Sequence, residues 1–318
     1  MTSKQAPAID DVRSFLLAHH DEAISELEPL AGGFWSSAYG YTVGGRELVL
    51  RVGDVPEWFE MDRAAALAFA GPDLPIPEVV DVGAGLGRSY AISVRHHGRF
   101  LEAVGADESD RVGPAVVRLL EALRAVPHEP GASVSWFPPG AADTGWRAWL
   151  AAGLSEQPGH PVSGWRSKLA AEPGLDHLFV AAETRVAELA VDCPERRDLV
   201  HNDLLHANVL VAADASRVTG LFSWKCSVRG DFLYDLALCT FWAPWFPGFA
   251  AVDIWTRVMA SASAADADFA DAAARHHCYE LQIGAHHLGW GVWVGDQLAL
   301  DKVAARLTEI IERGPLAL

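Results

Sequence analysis

The 318-residue chain contains no run of about 18 consecutive apolar residues, so no segment of it reads as a membrane-spanning helix. Residues Met1 to Asp11 lack the basic start and apolar core of an export signal. Cysteine is scarce: Cys193, Cys226, Cys239 and Cys278 include no Cys-x-x-Cys pair, which speaks against a zinc ribbon and provides no disulfide framework. A reduced, cytoplasmic setting is the expectation. Positive charge is also short, with 25 Lys and Arg against 42 Asp and Glu and a formal net charge of -17. A surface of that sign repels nucleic-acid phosphates and anionic lipid, which argues against both as partners, while it draws cationic small molecules toward a cleft. The phosphate-binding signature Gly-x-x-x-x-Gly-Lys-Ser/Thr is missing. Gly83-Ala84-Gly85-Leu86-Gly87 has alternating glycines but no helix after it, so it reads as a hairpin turn and not as a dinucleotide fingerprint. No repeat or low-complexity segment stands out, and nothing speaks to oligomeric state.

What is there is a globular composition, 50% hydrophobic and 21% charged, long enough for two domains or one bilobal unit. Val12, Phe15 and Leu16 recur at helical spacing over 9–20, with Asp10 as the cap. Next, Gly32, Gly33, Ser36 and Ser37 lie between apolar segments, and Gly44-Gly45 follows. The pattern is strand, loop, strand, hairpin turn, strand. The last strand, Glu47 to Val52, carries one cation, Arg51, in an apolar run; such a cation needs a partner or an anionic ligand. A helix over 57–70, with Phe59, Arg63, Ala66 and Phe69 on its packed face, offers Asp62 as that partner. Strands over 78–82 and 89–94 come next, then a helix over 107–126 with Val112, Val116, Leu119, Leu120 and Leu123 as its stripe. The region 127–173 is rich in Gly, Pro and Trp (Trp136, Trp146, Trp149, Trp165), which suits a ligand-lining surface or core packing equally. Helices are expected over 177–190 and 231–242 and in three further segments up to Arg313, with one small hairpin, 209–222, among them. The pairs His276-His277 and His286-His287 would sit roughly 280° apart around a helix, so a metal site built from them is not expected.

The chemistry concentrates in Leu199-Val200-His201-Asn202-Asp203-Leu204-Leu205-His206-Ala207-Asn208-Val209-Leu210, a polar insert between two short apolar runs. An Asp and an Asn on one such loop can serve one centre, the carboxylate as acceptor of a substrate hydroxyl proton and the amide oxygen as a ligand for Mg²⁺. A solvated Asx turn would use the same residues. The remaining parts favour chemistry. A Gly/Ser loop, a cation on the next strand, an acid on the next helix and a downstream Asp/Asn loop are what phosphoryl transfer from a nucleotide requires.

In these features the sequence resembles the aminoglycoside phosphotransferases of the protein-kinase-like fold, and among them the hygromycin B phosphotransferases most closely. The resemblance spans nearly the whole chain. It is carried by Gly44-Gly45-Arg46 with Leu48-Val49-Leu50-Arg51-Val52, Leu74-Pro75-Ile76-Pro77-Glu78-Val79, Asp192-Cys193-Pro194-Glu195-Arg196-Arg197, the loop at Asp203, and Phe241-Trp242-Ala243-Pro244-Trp245. It implies an α+β bilobal fold: an antiparallel-sheet N-lobe over 1–93 that binds ATP, a hinge over 94–98, and a mostly helical C-lobe over 99–318 that binds a cationic substrate. It further implies Asp203 as catalytic base and Asn208 as Mg²⁺ ligand. Arg51 and Asp62 stand for the usual Lys–Glu pair, with the loop at Gly32, Gly33, Ser36 and Ser37 over the phosphates. The hinge, near Ser93 to His97 and including Arg95, meets adenine. His201, Asp231 and Asp235 would brace the catalytic loop, and Trp242 and Trp245 would face substrate. One departure stands out: where the family has Ile-Asp-Trp, this chain has Leu221-Phe222-Ser223-Trp224, so Ser223 occupies the position of a metal-binding carboxylate. Lys225, two positions on, offers positive charge to the phosphates instead. The alternative reading is a kinase-fold protein that binds nucleotide or small molecule with little or no transfer.

Overall fold

The computed structural model describes residues 6–31, 33–127, 145–156, 162–261 and 267–317. In chain order its elements begin with α1 (Ile9–His19), β1 (Ile24–Leu30), β2 (Ser36–Val43), β3 (Arg46–Gly53), α2 (Pro56–Phe69), β4 (Val79–Gly85), β5 (Arg88–Val94) and β6 (Arg99–Phe100). Then come α3 (Ser109–Arg124), α4 (Trp146–Ala152), α5 (Trp165–Ala170), α6 (Pro173–Ala190), β7 (Asp198–Val200), β8 (Val209–Val211), β9 (Val218–Leu221) and β10 (Val228–Gly230). The chain closes with α7 (Leu233–Trp242), α8 (Pro247–Ala250), α9 (Ile254–Ser261), α10 (Ala272–Val294) and α11 (Gln297–Arg313). Two compact units divide it, residues 1–104 with 205–225, and 105–204 with 226–318. The first thus runs past the expected hinge and takes in the later hairpin. Among the described residues no helix is long and apolar enough to cross a membrane.

The first unit is built on an antiparallel sheet of order β1-β2-β3-β5-β4. The turn between β2 and β3 falls on Gly44 and Gly45, both at positive φ (55° and 76°), as a two-residue hairpin demands. Alternation along the strands sends Tyr39, Tyr41, Val43, Leu48, Leu50, Val52, Tyr90 and Ile92 to one face, where Val12 and Leu16 of α1 complete the core. The cap of α1 is Ala8, without a side-chain bond; Asp10 lies inside the first turn. On α2 the buried residues are Trp58, Phe59, Asp62 and Ala65, so the packed face is rotated from the one the apolar spacing predicts. β8 pairs with both β6 and β9. β7 and β8, which flank the polar loop, therefore belong to different sheets.

The second unit is helical, with β7 and β10 as a two-stranded ladder. α10 packs against α5, α6, α7 and α11. Trp146 and Trp149 of α4 stack at 4.9 Å and meet Tyr234 of α7 edge-on. A Cβ on Gly230 would fall into the Trp146 ring, so the end of β10 must be glycine. Trp146, Trp149 and Trp165 are buried, which settles them as core; Trp136 lies outside the described residues. Helix α7 starts at Leu233, two residues after the expected start. Among the described residues four α-helices follow it where three helical segments were expected, one of them the single turn α8.

Candidate active site

In the first unit, the sheet face opposite α1 carries two cross-strand rows, Ala38–Arg51–Ala91 and Gly40–Val49–Ser93. Arg51 Nη2 donates to Asp62 Oδ2 at 2.5 Å, and its guanidinium lies 5.3 Å from the centre of the Phe59 ring. The pair expected from the sequence is formed. Asp62 does more than hold Arg51: it is 6% exposed, and its other oxygen accepts the Trp224 backbone N–H at 2.7 Å. One carboxylate thereby ties β3 to the segment after the β8–β9 hairpin. Ser36 and Ser37 open β2 opposite Gly53 and Val52. Gly33 lies just before them, with open space where a Cβ would go, and Gly32 is outside the described residues. Trp35 of the same loop meets Trp58 of α2 edge-on at 5.1 Å. Ser93 is buried on β5. Arg95 takes Glu47 O through its backbone N–H (3.0 Å) and Glu28 Oε1 through Nη2 (2.8 Å). Its side chain lies across Gly40, where a Cβ would sit 2.7 Å from Nη1.

The hairpin in the same unit brings Asn208 and Ser223 to one end. Val209 pairs with Leu221, and the Phe222 N–H donates to Asn208 O at 2.9 Å. Asn208 Nδ2 donates to Leu205 O at 3.0 Å, which orients the buried amide. His206 and Ala207 adopt left-handed backbone (φ 67° and 65°), and the Ala207 N–H donates to Glu102 Oε1 at 2.7 Å. Glu102 has no counterpart in the sequence reading; an acid 105 positions from its partner carries no local signal. Ser223 is also left-handed (φ 68°), and its Oγ accepts Lys225 Nζ at 2.8 Å. Mg²⁺ prefers carboxylate, phosphate and water oxygens in a tight octahedron. An amide oxygen at Asn208 suits it. A neutral hydroxyl already holding an ammonium, at Ser223, does not. Among the described residues no three His, Cys, Asp or Glu side chains converge as a metal cluster.

In the second unit, Asp203 follows Asn202, which is left-handed at φ 62°. The turn is held from beneath: Asp235 accepts the His201 N–H at 2.7 Å and the Asn202 N–H at 2.8 Å. Asn202 Nδ2 reaches Cys226 O at 3.0 Å, and the Asp203 N–H donates to His201 Nδ1 at 3.2 Å. His201 is fully buried. Asp231 is clamped by Arg275 (Nε 2.8 Å, Nη2 2.7 Å) and by Tyr279 Oη at 2.7 Å, and accepts the Leu233 N–H at 3.1 Å at the start of α7. Trp242 and Trp245 are half-buried, 5.1 Å apart, with His287 edge-on to Trp242 at 4.9 Å.

Complete burial pushes the Asp235 carboxyl up to about 7, against the pull of the two N–H donors and with a further push from Asp203. The folded chain thus holds a proton that the unfolded chain releases near 3.8. Stability from this group is full below about 4 and is lost as pH rises through about 7. The melting-temperature advantage of wild type over Asp235→Asn should therefore widen as pH is lowered from 7 toward 4. A difference that stays constant over that range would exclude a titrating Asp235.

Comparison with known proteins agrees with this geometry. Residues 26–258 match the phosphotransferase enzyme family. Hygromycin-B 4-O-kinase of Escherichia coli is 33% identical over 239 residues, covering 74% of this chain and 67% of that protein. A crystal structure of a thermostable mutant of aminoglycoside phosphotransferase APH(4)-Ia, in ternary complex with AMP-PNP and hygromycin B, superposes with a TM-score of 0.79 at 28% identity. It covers 93% of this chain and 97% of that one. Spectinomycin phosphotransferase APH(9)-Ia, at 10% identity and a TM-score of 0.57 over 97% of this chain and 98% of its own, shares the fold alone. The chain belongs to the phosphotransferase enzyme family, with the mixed fold of the aminoglycoside phosphotransferases: an antiparallel N-terminal sheet followed by a largely helical remainder.

Proposed function

We infer that this chain transfers the γ-phosphoryl group of ATP to a hydroxyl of a cationic aminoglycoside or aminocyclitol. The acceptor oxygen forms a bond to the γ-phosphorus, the bond from that phosphorus to the β-bridging oxygen breaks, and ADP departs with the electron pair. The hydroxyl proton passes to Asp203. The observation that carries the reading is the brace under the Asp203 turn, two backbone N–H groups held by one buried carboxylate, Asp235. A plain solvated turn has no need of a fully buried acid beneath it.

In this reading residues 1–93 take the nucleotide, the backbone of 94–98 meets adenine, and 99–318 take the acceptor. Arg51, oriented by Asp62, clamps phosphate oxygens with a planar fork, and the segment at Gly32, Gly33, Ser36 and Ser37 covers them. Asn208 would hold a magnesium ion, which supplies positive charge against the phosphate oxygens when bound. Trp242 and Trp245 offer aromatic faces to an ammonium-bearing sugar, and the acidic surface favours its approach. The names of the relatives, a hygromycin-B kinase and an aminoglycoside phosphotransferase in complex with hygromycin B, support this acceptor class.

The test incubates the purified chain with Mg·ATP and a panel of aminoglycosides that includes hygromycin B, and seeks one added phosphate by mass spectrometry. Phosphorylation by wild type and not by Asp203→Asn is expected. Silence of both across the panel, with nucleotide still bound, would leave a nucleotide-binding protein of kinase fold.

A further inference from the structure

The turn that leads into β8 holds two consecutive residues, His206 and Ala207, in left-handed backbone, and neither is glycine. Alanine has no polar side chain that could bond locally to favour that shape, so its surroundings must hold it. Glu102 does so, its Oε1 taking the Ala207 N–H at 2.7 Å. The first unit fixes where Glu102 stands. Arg99 and Phe100 pair with Val211 and Leu210, and the single helical turn Leu101–Ala103 follows at once, with Leu101 buried. Among the described residues Glu102 Oε2 is buried and accepts no hydrogen bond, so the carboxylate is committed there to the Ala207 N–H. The turn closes on Asn208, whose Nδ2 donates to Leu205 O at 3.0 Å and whose backbone oxygen takes the Phe222 N–H at 2.9 Å. A turn released from Glu102 is free to leave the left-handed region, which displaces Leu205 O and rotates the Asn208 amide with it.

We propose that Glu102 is a positioning residue for the metal-binding amide: it locks the turn from Leu205 to Asn208 and thereby fixes the direction of Asn208 Oδ1, the oxygen that would take Mg²⁺. The inference rests on the proposed phosphotransferase reading and adds to it a residue that acts on metal affinity without touching metal or nucleotide. A ligand group whose support is already rigid gives up less freedom when the ion binds. Outer partners that orient a ligand in this way are commonly worth roughly 10–100-fold in metal affinity.

The experiment measures AMP-PNP binding to the intact chain by calorimetry across a series of Mg²⁺ concentrations. Mg²⁺ should tighten binding to wild type. In Glu102→Leu the Mg²⁺ concentration that gives half of this tightening should rise tenfold or more, while the affinity reached at saturating Mg²⁺ stays within threefold of wild type. Glu102→Gln, which keeps an oxygen for the Ala207 N–H, should behave as wild type does. Ala207→Gly, which adopts the left-handed shape without strain, should restore most of the loss when added to Glu102→Leu. A folded Glu102→Leu with an unchanged Mg²⁺ requirement overturns the proposal, and so does a variant that loses saturated affinity alone, as a merely structural residue would. If Glu102→Leu does not fold, hydrogen exchange in wild type decides: the Ala207 N–H should exchange at least a hundredfold more slowly than an exposed amide, and unprotected exchange overturns the proposal. Wild-type affinity that ignores Mg²⁺ overturns it as well. Wild type that binds no AMP-PNP under any condition removes the phosphotransferase reading itself.

Discussion

Asp203→Asn is expected to lower kcat for phosphoryl transfer by roughly 10²–10⁴-fold, the usual contribution of a positioned general base. The substitution keeps the volume of the side chain and leaves the backbone contacts of the turn in place. The Asp203 N–H can still reach His201 Nδ1, and Asp235 can still hold the His201 and Asn202 N–H groups. What disappears is a carboxylate able to take the hydroxyl proton or orient the attacking oxygen. The loss should therefore fall on kcat, with KM for ATP little changed, because Arg51, Asp62 and Asn208 are untouched. Steady-state ADP release measured over a range of ATP concentrations separates the two. A variant that keeps kcat within threefold of wild type and loses only affinity would remove Asp203 from the chemical step.

The largest stability effect is expected at Arg275. Its guanidinium, 4% exposed, makes two bonds to Asp231, which is fully buried, and Nη1 also takes Asp268 O and Ala270 O. Arg275→Met fills much of the volume and leaves a buried carboxylate with Tyr279 Oη, the Leu233 N–H and the more distant Arg196 Nε at 4.0 Å. Breaking a buried pair from one side costs about 3–5 kcal/mol, which for a chain of this size is on the order of 10 °C in melting temperature. Burial already pushes the Asp231 carboxyl upward. Without Arg275 the group takes a proton more readily, so the deficit should shrink as pH falls. Thermal unfolding of Arg275→Met, Asp231→Asn and the double variant gives the coupling directly: the double variant should lose clearly less than the sum of the singles. Additive losses would mean that the two residues act separately.

The Arg51–Asp62 pair was legible in the sequence because a cation inside an apolar strand admits few solutions, and the following helix offers an acid close by. The hairpins were legible for a similar reason, since Gly44-Gly45 suits the backbone that a two-residue turn needs. The face of α2 was not, and Asp62 is the cause: a satisfied buried acid sits among the core-facing residues, while apolar spacing points to Arg63 and Ala66. The long-range anchors of the site were also invisible. Glu102 on Ala207 and Arg275 on Asp231 join residues 105 and 44 positions apart, and only the fold brings them together. Ser223 lay between these cases. Its identity warned that a carboxylate was missing and drew notice to Lys225 two positions on, but the contact of Lys225 Nζ with Ser223 Oγ came only with the geometry.

The left-handed backbone at Ser223 bears on how this protein can change. At φ 68° the chain holds a shape in which Asp and Asn are several-fold enriched over other residues with a Cβ. That shape is anchored from outside, by the Trp224 N–H on Asp62, and does not depend on the serine hydroxyl. A single substitution to aspartate would therefore need no rearrangement of the main chain. Position 223 is thus a place where a carboxylate can enter the chain while the rest of the scaffold stays as it is.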